Sequence, residues 1–369
     1  MKKEKLGNIV SFQRGYDLTH GQMSGGNIPV VGSSEIIGWH NIAKCVAPTL
    51  LIGRSGTVGR PQFYDCAVWP HNTTLFVTDF HGNNPKYCYY LLRNLNLEDY
   101  ANSSGVPTLN RNFIEPLQVK YHEKGEQDRI ANILSILDDK ISTNNKIIET
   151  SEKLMREIYD YWFVQFDFPD ENGRPYKASD GEMVYDEKLK REIPKGWKAI
   201  ELGDIIKEAK KSSVQVNGAR EKVGAYPFFT SGDEILDFDE YYVDGFNIFL
   251  NTGGNADIKS YYGKSAYSTD TWCISADKYS YMLFIFLGII KEQINNNCFA
   301  GSGLKHLQKN AFKKIKIVAP EDNLLRTFND LAQSSYQAIS SYKTENKKLA
   351  SLRDWLLPML MNGQIKVSD

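Results

Sequence analysis

A chain of 369 residues, 41% hydrophobic and 24% charged, has the make-up of a soluble globular protein with room for two or three domains with real cores. A formal net charge of −1 excludes a chain that is basic throughout, and no apolar run approaches the ~18 residues that cross a bilayer. Five scattered cysteines with no CxxC pair argue against a disulfide framework and a zinc site, and the opening Met1-Lys2-Lys3-Glu4-Lys5-Leu6 leads into no apolar signal core, so a cytoplasmic home is expected.

The first globule, residues 1–122, alternates short β-rich runs with Gly, Pro and Asn punctuation. Ile28-Pro29-Val30-Val31, Thr49-Leu50-Leu51-Ile52 and Thr74-Leu75-Phe76-Val77 predict strands. Asn84-Pro85-Lys86-Tyr87 predicts a helix start through Leu95, with Asn as the cap and Pro in the first turn. A helical segment follows over 123–168. Ile130, Ile133, Leu137, Ile147, Leu154, Ile158 and Tyr161 recur there at spacings of three and four, and Leu134, Ile141, Ile148, Met155 and Trp162 widen the stripe. No Pro or Gly interrupts 126–168, which predicts a helix approaching 40 residues, about 55–60 Å long. Lys140, Asn144 and Ser151 fall on its seam, where polar residues weaken a coiled coil but fix its register.

Residues 169–196, with Asn172-Gly173-Arg174-Pro175 and Glu192-Ile193-Pro194-Lys195-Gly196, read as an ordered crossing strap. A second globule fills 197–320, and its apolar stretch 281–290 predicts a buried helix. Over 321–369 a second helical stripe runs through Leu324, Phe328, Leu331, Ala338, Tyr342, Leu349, Leu352 and Leu356, ended by Pro358. A long helix with one apolar face needs a partner in water, so the two stripes are expected to bury each other as an antiparallel pair.

The chain also repeats itself. Leu6-Gly7-Asn8-Ile9-Val10 has a counterpart in Leu202-Gly203-Asp204-Ile205-Ile206, and the match continues at an offset of roughly 198 residues. Pro29 falls on Pro227, Ser33 on Ser231, Ser104-Gly105 on Ser302-Gly303 and Leu109 on Leu307, while 64–73 aligns with 262–271. The expected fold class is α+β: two similar mixed α/β globules separated by two long antiparallel coiled-coil helices.

Three paired loops carry the candidate chemistry. Gly53-Arg54-Ser55-Gly56-Thr57-Val58-Gly59-Arg60 lacks the Gly-Lys-Ser/Thr ending of a nucleotide loop, and Asn251-Thr252-Gly253-Gly254-Asn255 stands at its place in the repeat. Either the glycines only make a tight turn, or they let Arg54, Ser55, Thr57, Arg60, Asn251, Thr252 and Asn255 approach DNA, with Lys259 just beyond. His71-Asn72-Thr73-Thr74 aligns with Thr269-Asp270-Thr271-Trp272; these are turns before a strand, or base readers through His71, Asn72, Thr73, Asp270 and Thr271. Ser104 and Arg111, with Ser302, Lys305 and His306, either contact DNA or dock a globule on its helix. Five of the six histidines sit in or just after the first globule with no metal-pair spacing, and no Ser-His-Asp or Cys-His set assembles. No catalytic residue and no metal site is assigned.

The order globule–helix–globule–helix, the run Glu126-Gln127-Asp128-Arg129-Ile130-Ala131, the segment from Trp162-Phe163 to Phe168, the strap Ile193-Pro194-Lys195-Gly196-Trp197 and the ending Leu356-Leu357-Pro358 resemble the specificity subunit of type I restriction–modification systems. The resemblance covers essentially the whole chain. The second helix departs from it, beginning Glu321-Asp322-Asn323-Leu324-Leu325-Arg326 without the Gln-x-x-Ile-Ala form. The resemblance implies two target-recognition domains, each reading half of a bipartite, asymmetric site on double-stranded DNA, with helices that set the spacing and dock two methylation subunits. It implies no cofactor in this chain: S-adenosylmethionine belongs to the methylation subunits, and ATP with Mg to restriction subunits that join through them. The alternative from another class is a non-enzymatic adaptor binding proteins through both globules.

Overall fold

The computed structural model describes residues 1–102 and 107–367, so Ser104 of the candidate set lies outside the described residues. The chain forms two compact units, Met1–Thr143 with Asn346–Asp369, and Asn144–Glu345. The units therefore do not follow the five segments of the sequence reading: each takes one globule and part of both long helices.

The first unit holds strands β1 (Lys2–Lys5), β2 (Ser11–Arg14), β3 (Ile28–Val31), β4 (Ile36–His40), β5 (Thr49–Gly53), β6 (Pro61–Tyr64), β7 (Trp69–Pro70), β8 (Thr74–Asp79) and β9 (Gln118–Tyr121). Its helices are α1 (Pro85–Arg93), α2 (Arg111–Ile114) and the start of α3 (Lys124–Tyr159). An antiparallel sheet in the order β2-β8-β5-β6 forms its centre, beside a three-stranded sheet β4-β3-β7 and the pair β1-β9. Strand β5 is buried along its whole length, as its unbroken apolar run requires. Leu50 and Ile52 face one core with Leu75, Val77 and Leu91, while Leu51 faces another with Val31 and Phe76, the alternation a strand imposes.

Helix α1 starts as its sequence dictates: the Asn84 side chain accepts the Tyr87 N–H at 3.0 Å and Pro85 occupies the first turn. The globule is locked to α3 by Gln127, which is buried. Its amide oxygen accepts the Asn84 N–H at 2.9 Å, and its amide nitrogen donates to the Asn83 side chain and the His122 carbonyl, both at 2.8 Å. Gln127→Ala leaves these three groups without their partner. It should cost about 2–4 kcal/mol of stability, read in denaturant unfolding. At the offset of 198 the second helix carries the fully buried Leu325 instead, which explains why it departs from the Gln-x-x-Ile-Ala form.

The second unit repeats the plan with β12 (Lys198–Glu201), β13 (Lys207–Glu208), β14 (Tyr226–Phe229), β15 (Ile235–Phe238), β16 (Phe246–Asn251), β17 (Ile258–Tyr262), β18 (Ala266–Tyr267), β19 (Thr271–Ser275) and β22 (Lys316–Ala319). The strap contributes β10 (Met183–Asp186) and β11 (Arg191–Pro194), and β20 (Phe299–Ala300) pairs with β21 (His306–Leu307). Its central sheet runs β13-β19-β16-β17 and its three-stranded sheet β15-β14-β18, the order of the first unit. Helices α4 (Leu202–Ile205), α5 (Val216–Arg220), α6 (Ser280–Ile289), α7 (Lys291–Asn297) and α8 (Lys309–Lys313) precede α9 (Asp322–Met361). The strap is ordered by aromatic packing: Phe168 stacks between Trp197 at 4.9 Å and Tyr176 at 4.6 Å.

In both units the segments of α3 and α9 run antiparallel. In the first, Ile130, Ala131 and Leu134 share a core with Leu357, Leu360 and Met361, and Arg353 reaches Asp138 at 2.5 Å. In the second, Phe163 meets Phe328 at 4.9 Å and Lys343 pairs with Glu152 at 3.1 Å. Several expectations change. The buried seam of α3 is the row Leu134, Ile148, Met155 and Trp162, whereas Ile147, Leu154 and Tyr161 are exposed. Asn144 does lie buried on the seam, donating to Glu345 at 2.7 Å, but Lys140 points to solvent. On α9 the seam is Leu325, Phe328, Ala332, Tyr336 and Ile339, with Leu331 and Leu352 outside. The helix also continues past Pro358 to Met361, because burial of Leu357, Leu360 and Met361 outweighs the one backbone bond that proline cannot donate.

Candidate nucleic-acid interface

The first unit gathers its polar loops at one end of β5. Gly53 ends the strand where a β-carbon would overlap the Thr57 carbonyl oxygen, so only glycine lets the 53–60 hairpin close. The Arg54 N–H donates to the Thr73 carbonyl at 2.8 Å, and its own carbonyl accepts the Leu109 N–H at 2.8 Å. One residue thus ties the hairpin, the start of β8 and the segment before α2. The Arg54 guanidinium donates to the Asn72 carbonyl at 3.4 Å and Arg111 to the Phe12 carbonyl at 2.9 Å. Both line an open cleft of about 530 Å³ with Gln13, Arg14, Tyr16, Asp17 and Asn110. Asp17 accepts from Arg14 at 3.3 Å and from the Asn72 side chain.

Of the candidates, Arg54 and Arg111 line this cleft, Asn72 lies beside it bonded to Arg54 and Asp17, and Thr57 and Arg60 are exposed on the neighbouring hairpin. Ser55 is half-buried and pairs through its backbone with Thr73 and Thr108. His71 and Thr73 hold the loop: the His71 ring bonds Thr73 at 3.0 Å and the Leu18 carbonyl at 3.2 Å, and burial lowers the imidazole's proton affinity. Asn110 falls within the third paired loop of the sequence, which ends at Asn110-Arg111, whereas Arg14, Gln13 and Asp17 were missed by sequence reasoning. No spacing rule joins residue 14 to 54 and 111; only the strand order β2-β8-β5 does.

The second unit builds the same junction from different residues. The Thr252 N–H donates to the Asp270 carbonyl at 3.0 Å, and its carbonyl accepts the Leu307 N–H at 2.9 Å. Asn251 stands where the first unit has Gly53. Its side chain donates to the Gly253 carbonyl at 2.8 Å and to that of Asn255, and accepts the Asp257 N–H at 2.7 Å. Asn251 and Thr271 are both buried, with their polar groups engaged inside the fold; the Thr271 hydroxyl bonds the Phe229 carbonyl at 3.2 Å and Ser268 at 2.9 Å. Lys259 likewise braces Asp257 at 2.7 Å and the Gly232 carbonyl at 2.6 Å. Asn255, Asp270, Ser302, Lys305 and His306 are exposed, and the Gly254 N–H meets the Lys305 carbonyl at 2.9 Å.

The ladders also correct the repeat alignment. Thr49 pairs with Tyr64 but Asn247 with Tyr261, and Gly53 faces Thr74 as Asn251 faces Thr271. Paired Ile52 and Pro61 enclose residues 53–60, whereas Leu250 and Ile258 enclose 251–257, one residue fewer. Thr73 therefore corresponds to Asp270, and Asn72 to Thr269.

The electrostatics differ as well. Lys309, at the place of Arg111, and Lys313 both reach Glu208, at 2.9 and 2.5 Å, and the Trp272 indole donates to it at 2.8 Å. Burial raises the Glu208 carboxyl, but the bonds from Lys313, Lys309 and Trp272 outweigh it and hold the group down to about 2. A folded-state value below the ordinary 4.5 means that this group stabilises the fold fully above pH ~4.5, and the contribution fades as pH falls toward 2. Glu208→Gln should therefore flatten the acid limb of the stability–pH curve over that window, leaving its slope above pH 6 unchanged.

Among the described residues no group of three His, Cys, Asp or Glu is placed to hold a metal ion. Two repeated α/β units, each with a polar loop cluster at the same junction and each backed by the long helices, define a duplicated recognition protein. Residues 2–153 and 194–323 match the type I restriction modification DNA specificity domain. The chain belongs to that family. It is similar to the type I restriction enzyme MjaIX specificity subunit of Methanocaldococcus jannaschii, 26% identical over 77% of this chain and 70% of that one. It is also similar to the HindI specificity subunit of Haemophilus influenzae, 23% identical over 76% and 77%. Its fold resembles the crystal structure of a type I restriction-modification S subunit from M. genitalium, with a TM-score of 0.67 and 18% identity over 97% of this chain and 95% of that one.

Proposed function

We propose that this chain is the DNA sequence-recognition subunit of a type I restriction–modification complex, each unit reading one half of a bipartite, asymmetric site. The observation that carries this is a single backbone junction built twice and furnished differently: Arg54 and Arg111 in the first unit, Thr252 and Lys309 in the second. A shared frame that holds backbone-binding cations at one place and surrounds them with different polar side chains, Thr57, Arg60 and Asn72 in the first unit and Asn255, Asp270 and His306 in the second, suits half-sites of different sequence. Arg54, Thr57, Arg60, Asn72 and Arg111 serve the first half-site; Asn255, Asp270, Ser302, Lys305 and His306 serve the second.

Two methylation subunits dock on the helices. Ile147, Leu154 and Tyr161 recur every seven residues and stay exposed on α3 and the π-helical turn that follows it, a face that water does not favour leaving bare. Methyl transfer from S-adenosylmethionine takes place in those subunits, and ATP-driven, Mg-dependent cleavage in a restriction subunit that joins through them; this chain supplies the address. No described helix is long and apolar enough to cross a membrane. Methylome sequencing of the host with and without this chain tests the reading. A split, asymmetric motif that vanishes with the chain is expected; a methylome without any lost motif, in cells expressing the methylation subunits, would sink it and favour an adaptor.

A further inference from the structure

The cleft of the first unit holds three guanidinium groups in two different electrostatic settings. Arg54 and Arg111 each donate to a main-chain carbonyl, a neutral acceptor that leaves the full positive charge for an incoming anion. Arg14 alone faces a carboxylate, Asp17, at 3.3 Å, and Asp17 is itself engaged by the Asn72 side chain. A carboxylate beside a DNA-facing cleft repels phosphate, so Arg14 is the poorest phosphate anchor of the three. The same carboxylate biases the guanidinium fork toward one direction through the contact at 3.3 Å, which a phosphate contact does not need and a bidentate base contact uses.

The mount is rigid. The Gly15 N–H donates to the Thr74 carbonyl at 3.0 Å and the Tyr16 N–H to the Pro70 carbonyl at 2.8 Å. A β-carbon on Gly15 would overlap the His71 carbonyl oxygen, so the chain between Arg14 and Asp17 is pressed against β7 and β8. Both side chains remain more than half exposed and reachable. In the second unit Ala209 pairs with Cys273 as Gln13 pairs with Phe76, so Lys210 takes the place of Arg14, and lysine has no fork.

We infer that Arg14, aimed by Asp17, is a specificity-determining residue that reads a guanine in the half-site of the first unit, while Arg54 and Arg111 hold the adjoining phosphates. This rests on the DNA-recognition reading above and names the base for one of its contacts. Asp17 is a positioning residue: it spoils non-specific phosphate binding and orients the fork.

The test is selection of duplexes from a pool randomised across both half-sites, using the full chain bound to its methylation subunits, followed by sequencing. The wild-type protein is expected to enrich a G·C pair in one half-site. Arg14→Ala should lower discrimination at that pair alone by roughly tenfold to hundredfold, leaving the other positions selected. Arg14→Lys keeps the charge and should relax the same position with little loss of total binding. Asp17→Asn should relax that position while recovery of unselected duplex stays level or rises, an effect that mere misfolding does not produce. A selected motif without a G·C pair in either half-site overturns the assignment. So does an Arg14→Ala protein that binds every sequence more weakly with all preferences intact. Enrichment of no sequence by the wild-type protein overturns the DNA-recognition reading, and the assignment with it.

Discussion

A chain carrying both Arg54→Ala and Arg111→Ala should bind duplex DNA roughly thirty- to a hundredfold more weakly, by the same factor for every sequence. Both guanidinium groups line the cleft and are tied only to neutral carbonyls, so their charge is available to phosphates. Each phosphate contact removed should also shallow the slope of log affinity against log salt by about one, so the double variant should differ by about two. Lys309→Ala with Lys313→Ala in the second unit should do less, because Glu208 already neutralises much of that charge. Fluorescence anisotropy at four salt concentrations measures both quantities. An unchanged slope in the arginine variant would mean that these side chains do not meet phosphate.

Much of the fold was legible because local and global demands agree. The buried run of β5, the Asn84 cap and the buried helix α6 each carry a pattern that few other structures satisfy. The helix seam was misplaced because α3 bears two adjacent apolar rows, and only the partner helix decides which is covered. The repeat slipped by one residue for an equally concrete reason. The second unit carries the doublet Tyr261-Tyr262, so Tyr64 matches either one, and the shorter hairpin that settles the choice is visible only in the ladder. In the site, Arg54 and Arg111 were found as donors in glycine-rich or polar loops. Arg14 and Asp17 sit at the end of an unremarked strand and reach the cleft through sheet order. The internal bonds of Asn251 and Thr271 were not legible, because a short polar side chain that closes a loop and one that reads a base have the same sequence signature.

The contrast between Gly53 and Asn251 supports the other large effect. Gly53→Ala should destabilise the protein by about 3 kcal/mol or more, because the added β-carbon meets main chain and no flexible side chain can step aside. It would overlap the Thr57 carbonyl oxygen and lie 2.8 Å from that of Ser33. Relief requires opening the hairpin, which breaks the bonds from Gly59 N–H to the Gly53 carbonyl at 2.8 Å and from Gly53 N–H to the Arg60 carbonyl at 3.1 Å. A thermal scan should show the unfolding midpoint falling by roughly 6–12 °C. Asn251→Ala at the matching place should cost only about 1–3 kcal/mol, since it removes side-chain bonds and inserts nothing. One turn is thus closed by omitting a side chain and the other by hydrogen bonds from one. Because Arg54 follows Gly53 directly, the alanine variant should also lose affinity for DNA at temperatures where it is still folded. A Gly53→Ala protein with an unchanged midpoint and unchanged affinity would show that the hairpin is looser than its packing requires, and that Arg54 is not positioned by it.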